Sequence, residues 1–154
     1  MRAVPSHLNT IAAVVLEPAQ SLFLLLLRLH VSWQFLKSGW LKWQDWESTR
    51  YLFEEEYRVP LLSPAVAAVL GTAGELIFPA LLIVGFQARF AALGLSAVNL
   101  MAVVAYAHVL LAAGFEAALG QHVLWGSMLL TLVLFGPGRL SIDWLHSGRP
   151  ASRR

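Results

Sequence analysis

Residues 63–86 read SPAVAAVLGTAGELIFPALLIVGF, an apolar run interrupted by a single ionisable side chain, Glu75. About 20 helical residues cross the ~30 Å hydrocarbon core of a bilayer. In lipid a span must satisfy its own backbone hydrogen bonds, so such a run is a helix despite its Val and Ile content. Working outward, comparable runs cover 19–41, 88–113 and 118–135. Pro60 and Pro64, the Gly85 to Arg89 turn, the Gly114 to Gly120 turn and Gly136-Pro137-Gly138 separate or end them. The predicted fold is all-α: one domain over residues 1–154, a four-helix transmembrane bundle with an amphipathic helix in its outer loop.

Composition agrees. The chain is 58% hydrophobic and 13% charged, against about 25% charged in soluble domains, so it cannot coat a water-soluble globule of 154 residues. A nucleic-acid module, a secreted disulfide scaffold and a disordered tail are excluded. The absence of cysteine removes thiolate zinc sites, iron-sulfur clusters and covalently attached c-type haem. The apolar stretch 11–16 is shorter than a signal-peptide core and is followed by Glu17 and Pro18, so no cleaved signal is expected. Sorting charges by side puts Arg2, Arg89, Arg139, Arg149, Arg153 and Arg154 with only Glu17 and Asp143 on one face. The other face holds Lys37, Lys42, Arg50 and Arg58 against six acidic side chains. Arginine-rich loops stay inside, so both termini are expected in the cytoplasm.

The longest connection, residues 40–64, carries Trp40, Trp43 and Trp46 at intervals of three, one stripe on a helix suited to the membrane-water boundary. Ser48 is the expected cap of a short helix through Tyr57 that stops before Pro60. Residues 40–57 have two readings: a membrane-lying anchor, or a docking surface for a protein partner. Ala67 and Gly71, and Ala88, Ala92 and Ser96, are small residues four apart that allow helices to approach closely.

Charges inside the bilayer cost about 2.5 kcal/mol or more each on insertion scales and need a partner or a task. Arg28 and Glu75 are such charges. Counting from rims at Trp40 and Pro64 puts both roughly 17 Å deep at 1.5 Å per residue, and predicts that they meet as an ion pair. The pair fixes the register of two helices, or Glu75 carries a proton beside a ligand. His30, His108 and His122 are the second candidate set. They could hydrogen-bond a quinone or ligate a haem or metal, yet no two share the spacing of a metal motif. The alternative is that each bonds a neighbouring hydroxyl or carbonyl. Asn99 and Tyr106 are read as an interhelical hydrogen-bond stripe.

Three stretches, LLLLRLHVSWQFLKSGWLKW (24–43), GELIFPALLIVGFQARFAAL (74–93) and LLTLVLFGPGRLSIDWL (129–145), carry a family likeness. With Arg28, the Gly39 to Lys42 stretch, Glu75, Arg89 and the Gly136 to Ser141 exit followed by Asp143, the chain resembles the DoxX family of small four-helix bacterial membrane proteins. The resemblance implies a multi-pass plasma-membrane protein linked to redox metabolism. Relatives of this kind include a quinone-reducing subunit of a thiosulfate oxidoreductase and membrane partners of detoxifying enzymes, and others accompany metal-binding peptide systems. Whether this chain binds quinone does not follow from the family; the leading expectation is a quinone-associated subunit, with Glu75 and Arg28 handling protons or ligand charge and the three histidines as hydrogen-bonding candidates. The chain has no glycine-rich nucleotide loop and no flavin fingerprint, so electrons would need a second protein. The competing expectation is a noncatalytic anchor that recruits a periplasmic partner. A small-solute permease would need more than four short helices, which oligomers could supply.

Overall fold

A computed structural model describes residues 12–147. The terminal arginines Arg2, Arg149, Arg153 and Arg154, and the residues before Ala12, lie outside the described part. A π-helical turn Ala12–Leu16 leads into α1 (Glu17–Gln44), followed by α2 (Trp46–Tyr51) and a π-helical turn Leu52–Glu56. Then come α3 (Pro64–Val84), α4 (Ala88–Ala105), α5 (Ala107–Leu110), α6 (Glu116–Phe135) and α7 (Ile142–His146). Every regular element among the described residues is helical. Four of them, α1, α3, α4 and α6, are long and apolar enough to cross a membrane, and large apolar side chains such as Phe23, Leu26, Ile77, Leu100 and Leu130 stand exposed along them, as lipid-facing residues do. The chain is a multi-pass helical membrane protein.

α1 packs chiefly on α3, α3 on α4, and α4 on α6, while α6 also touches α1. Their common core is Leu27, Val31, Phe35, Leu82, Ala88, Ala91, Ala92, Leu95, Leu129 and Leu132. Small residues set the spacing. A Cβ on Gly74 would sit 2.7 Å from Val98, and one on Gly94 would strike the Phe78 ring. The expected small-residue contacts hold at Ala88 and Ala92, both fully buried.

Three boundaries differ from expectation, each for a local reason. α1 runs on to Gln44, past the predicted end at Leu41. Asp45 (φ −122°, ψ 82°) breaks the helix there and caps α2, its carboxylate accepting from the Ser48 N–H at 3.0 Å and the Ser48 hydroxyl at 2.7 Å. Asp45, not Ser48, is the cap. The break also splits the tryptophan stripe: Trp40 and Trp43 end α1 and Trp46 starts α2. The third span stops at Ala105, where Tyr106 (φ −111°, ψ 19°) leaves helical geometry before the short α5.

Candidate functional site

Helix register decides where the charges go. A Cβ added to Gly39 would lie 2.8 Å from the Glu75 Cβ, so α1 and α3 touch backbone to backbone at that level. The helices are antiparallel, and Arg28, eleven residues before Gly39, therefore faces the residue eleven after Glu75, which is Phe86. Arg28 and Glu75 are separated by about 16 Å along the bundle. The predicted Arg28–Glu75 ion pair does not form. Trp40 and Pro64 are not matching rims: α3 rises well beyond the end of α1, so Arg28 and Glu75 are not level.

Glu75 instead pairs with Lys42. The ammonium donates to Glu75 Oε2 at 2.6 Å, to Oε1 at 2.8 Å and to the Ser38 hydroxyl at 2.8 Å, which uses its three N–H groups. Both side chains are nearly buried, at 12% and 11% exposure. Pro79 sits one turn further along α3 and has no N–H to give the Glu75 carbonyl, so an acceptor is freed beside the carboxylate. Thr72, one turn before Glu75, is buried with its hydroxyl unpartnered.

A lid covers this end. α2 and its π-helical turn fill the step where α3 overtops α1. Phe53 is buried against Ala67 and Ala68, and its ring lies 3.3 Å from where a Gly71 Cβ would be. The Thr49 hydroxyl donates to the Lys42 carbonyl at 3.0 Å, and the Arg58 N–H donates to the Ala105 carbonyl at 2.9 Å, pinning both ends of the lid. Edge-to-face contacts run from Phe53 to Tyr57 (4.9 Å between centroids), Tyr57 to Tyr106 (5.3 Å) and Tyr106 to His108 (5.4 Å). Burial pushes the Tyr57 phenol above its ordinary pKa, helped by the negative field of Glu75 and by Tyr106. The connection between α1 and α3 is thus seated on the bundle, and Trp46, Tyr51, Glu47 and Glu54 lie on its exposed face.

Arg28 serves the opposite end. It is fully buried; Nη1 donates to the Leu82 carbonyl at 3.2 Å and Nη2 to the Leu140 carbonyl. It therefore ties the last turn of α3 to the chain's closing segment, where helix carbonyls lack partners and favour a cation. Gly85 (φ 69°) turns the chain here, and a Cβ on it would collide with the Arg28 guanidinium. Asp143 accepts from the N–H groups of Gln87 (2.8 Å) and Ala88 (2.9 Å) at the start of α4, while its own N–H donates to the Gly85 carbonyl at 2.9 Å.

The histidines are not gathered. His30 is exposed on α1 and His108 is exposed on α5 beside Tyr106. His122 alone turns inward: its Nδ1 lies 2.8 Å from Asn99 Oδ1, and Asn99 Nδ2 donates to the His122 carbonyl at 3.0 Å. Asn99 thus makes the expected interhelical bond, and Tyr106 packs on Tyr57 instead. Among the described residues no group of three or more His, Asp or Glu side chains could hold a metal ion. An open groove of about 610 Å³ beside Leu110, Glu116, Leu119 and Val123 shares no residue with the Lys42–Glu75 set.

Lys42 was the partner missed by sequence reasoning, although a signal for it was present. Arg28, Phe35, Gly39 and Lys42 share one face of a helix, so that face carried two cations for one anion. Gly39 marks where the partner helix comes closest.

Fold and site together define a class: a small multi-pass helical membrane protein that keeps a lysine-carboxylate pair inside its bundle under an aromatic lid. The family model described as DoxX matches residues 23–108. That match spans more than half of the chain and includes Arg28, Lys42, Tyr57, Thr72 and Glu75; the chain belongs to the DoxX family. It is also similar to an uncharacterized protein of Haemophilus influenzae, with 33% identity over 129 residues covering 79% of this chain and 82% of that protein. No solved structure matches.

Proposed function

We propose that this chain is the quinone-associated subunit of a bacterial plasma-membrane oxidoreductase system, with both termini in the cytoplasm and a separate protein supplying electrons. The observation that carries the reading is the Lys42–Glu75 pair: a protonatable carboxylate inside a lipid-embedded bundle, held by one ammonium and overlaid by a neutral phenol. The donors fit a quinone head. The unpartnered Thr72 hydroxyl and the Tyr57 phenol are hydrogen-bond donors near Glu75 suited to carbonyl oxygens, while Lys42 spends its three N–H groups on Glu75 and Ser38. When bound, a quinone supplies two-electron redox chemistry coupled to two protons. Glu75 holds the proton at its carboxyl oxygens, Lys42 stabilises its ionised form, and Phe53 with Tyr57 keeps outer water from the pair. Arg28, about 16 Å from Glu75 along the bundle, is given no step in that chemistry. His30, His108 and His122 are not brought together, and the reading routes no step through them.

The test is purification followed by reconstitution in liposomes, measuring retained quinone and quinol turnover alone and with soluble partners. Retained quinone, with turnover lost in Glu75→Gln while the fold persists, is the expected result. No retained quinone and no turnover would remove the reading. The exposed face of α2, with Trp46 and Tyr51 among acidic side chains, favours a second reading, a noncatalytic scaffold for a periplasmic partner. There, substitutions on that face abolish partner pull-down and Glu75→Gln leaves it intact.

A further inference from the structure

Among the described residues, the buried side-chain polar atoms without a hydrogen-bond partner are Arg28 Nε, Ser32 Oγ and Thr72 Oγ1. They are not scattered. Ser32 lies one turn beyond Arg28 and seven residues before Gly39, on the side of α1 that touches α3. Thr72 lies one turn from Glu75 on the side of α3 that touches α1. All three atoms fall on one seam. Ser32 is fully buried and Thr72 is 3% exposed, so neither reaches bulk water. Buried polar groups are almost always satisfied, and in lipid an unsatisfied one costs several kcal/mol.

The first step of the seam has the spacing of a single bridging water. Arg28 and Ser32 are one turn apart, about 6 Å, and a water accepting from one and donating to the next spans about twice an ordinary 2.8 Å hydrogen bond. From Ser32 the level of Glu75 is seven residues further up the seam, about 10 Å, a gap of two or more waters, with the Glu75 carbonyl released by Pro79 the next polar group. The carboxylate and then Thr72 follow. The carbonyl freed by a proline inside a membrane helix is satisfied by neighbouring helices, Ser/Thr side chains or ordered water. Internal water is also common, roughly one per 27 residues, where two to four polar partners converge.

We propose that the α1–α3 seam binds a file of ordered water running from Arg28 past Ser32 to Glu75 and Thr72. The file gives the Glu75 carboxyl a proton path from the Arg28 end of the bundle, on the side away from the lid. Two fixed cations, Arg28 and Lys42, bound it, and their charge opposes passage of a hydrated cation through the whole length. Protons reach Glu75 along the file without a leak across the membrane. This extends the reading of Glu75 as a proton carrier, but the site itself needs no quinone.

Solid-state NMR of the reconstituted protein, with no quinone added, reads it directly through polarisation transfer from water protons. The expected result is rapid transfer to Arg28 Nε, Ser32 and Thr72, with buried Leu82 and Leu95 lagging, and loss of transfer at Arg28 Nε in Ser32→Ala. Thr72→Val, which keeps the side-chain shape, loses the transfer at the Glu75 end alone. Transfer to the three sites as slow as to Leu95, or unchanged transfer at Arg28 Nε in Ser32→Ala, would overturn the proposal. Hydrated sites in a protein that retains no quinone would sink the proposed function and leave the water file standing.

Discussion

The two ends of the bundle each bury a cation drawn from the same face of α1 and give it opposite work. At the Arg28 end the charge is bonded to backbone carbonyls, those of Leu82 and Leu140, which cannot titrate, and the Asp143 carboxylate, ionised between pH 5 and pH 8, adds only its field. At the Lys42 end it meets a carboxylate, which can. A guanidinium aimed at carbonyls is a staple whose strength does not depend on pH. An ammonium aimed at a carboxylate forms a contact that a proton loosens. One helix face thus separates holding the fold from doing chemistry.

The largest expected effect lies at the staple. Arg28→Leu leaves the carbonyls of Leu82 and Leu140 without their charged donor, at about 1.5–3 kcal/mol for each bond lost. The folded fraction in detergent should fall sharply, read by thermal unfolding, and the loss should be the same at pH 5 and pH 8. A pH-dependent loss would break the distinction between the ends.

Lys42→Met comes next. It strands a buried carboxylate, a change that costs about 3–5 kcal/mol when one partner of a buried pair is removed. Lys42→Met with Glu75→Leu should recover most of the stability, and acid, by neutralising the stranded carboxylate, should partly rescue the single variant. If the double variant is as unstable as the sum of its parts, the two side chains are not coupled.

Phe53→Ala acts on the lid alone. Emptying the notch at Gly71 should speed amide exchange over residues 46–58 and expose Glu75 to a water-soluble carbodiimide, while α4 and α6 stay protected. Unchanged labelling of Glu75 would show that the lid does not seal the pair.

The smallest effect belongs to Asp45. Its hydrogen bonds from the Ser48 backbone and hydroxyl hold its carboxyl below the ordinary carboxylate range. A depressed folded-state pKa means the contribution is present above the ordinary value of about 3.9 and is lost as pH falls through the lower folded value. Amide exchange in α2 should therefore rise in strong acid, and Asp45→Ala should show that faster exchange already at neutral pH. No difference between Asp45→Ala and the parent at neutral pH would show that the cap contributes nothing.

The four spans were legible from hydropathy because lipid leaves the backbone no alternative to a helix. Register was not, since hydropathy locates helix ends only to within a turn or two, and α1 gains three residues over its apolar run by carrying Lys42 and Gln44 into the helix. That error decided the wrong partner for Glu75. Gly39 held the correction, because glycine on a face that otherwise carries long side chains marks a close approach. The lid was half legible. Its aromatic content was visible, but that Phe53 faces the bundle and Trp46 faces away depends on the break at Asp45, where one residue leaves helical dihedrals. The histidines misled because equal distance from a turn says nothing about which way a ring points, as exposed His108 and inward His122 show.

The bond from Arg28 to the Leu140 carbonyl also has a consequence for biogenesis. The guanidinium belongs to the first of the four described spans, and its acceptor Leu140 is synthesised 112 residues later. Until Leu140 has been made, the guanidinium holds the Leu82 carbonyl alone, a half-paired state that insertion chaperones and membrane proteases can recognise. Chains that stop short of Leu140 keep that mark permanently, so the cell has a simple way to tell a finished copy from a broken one.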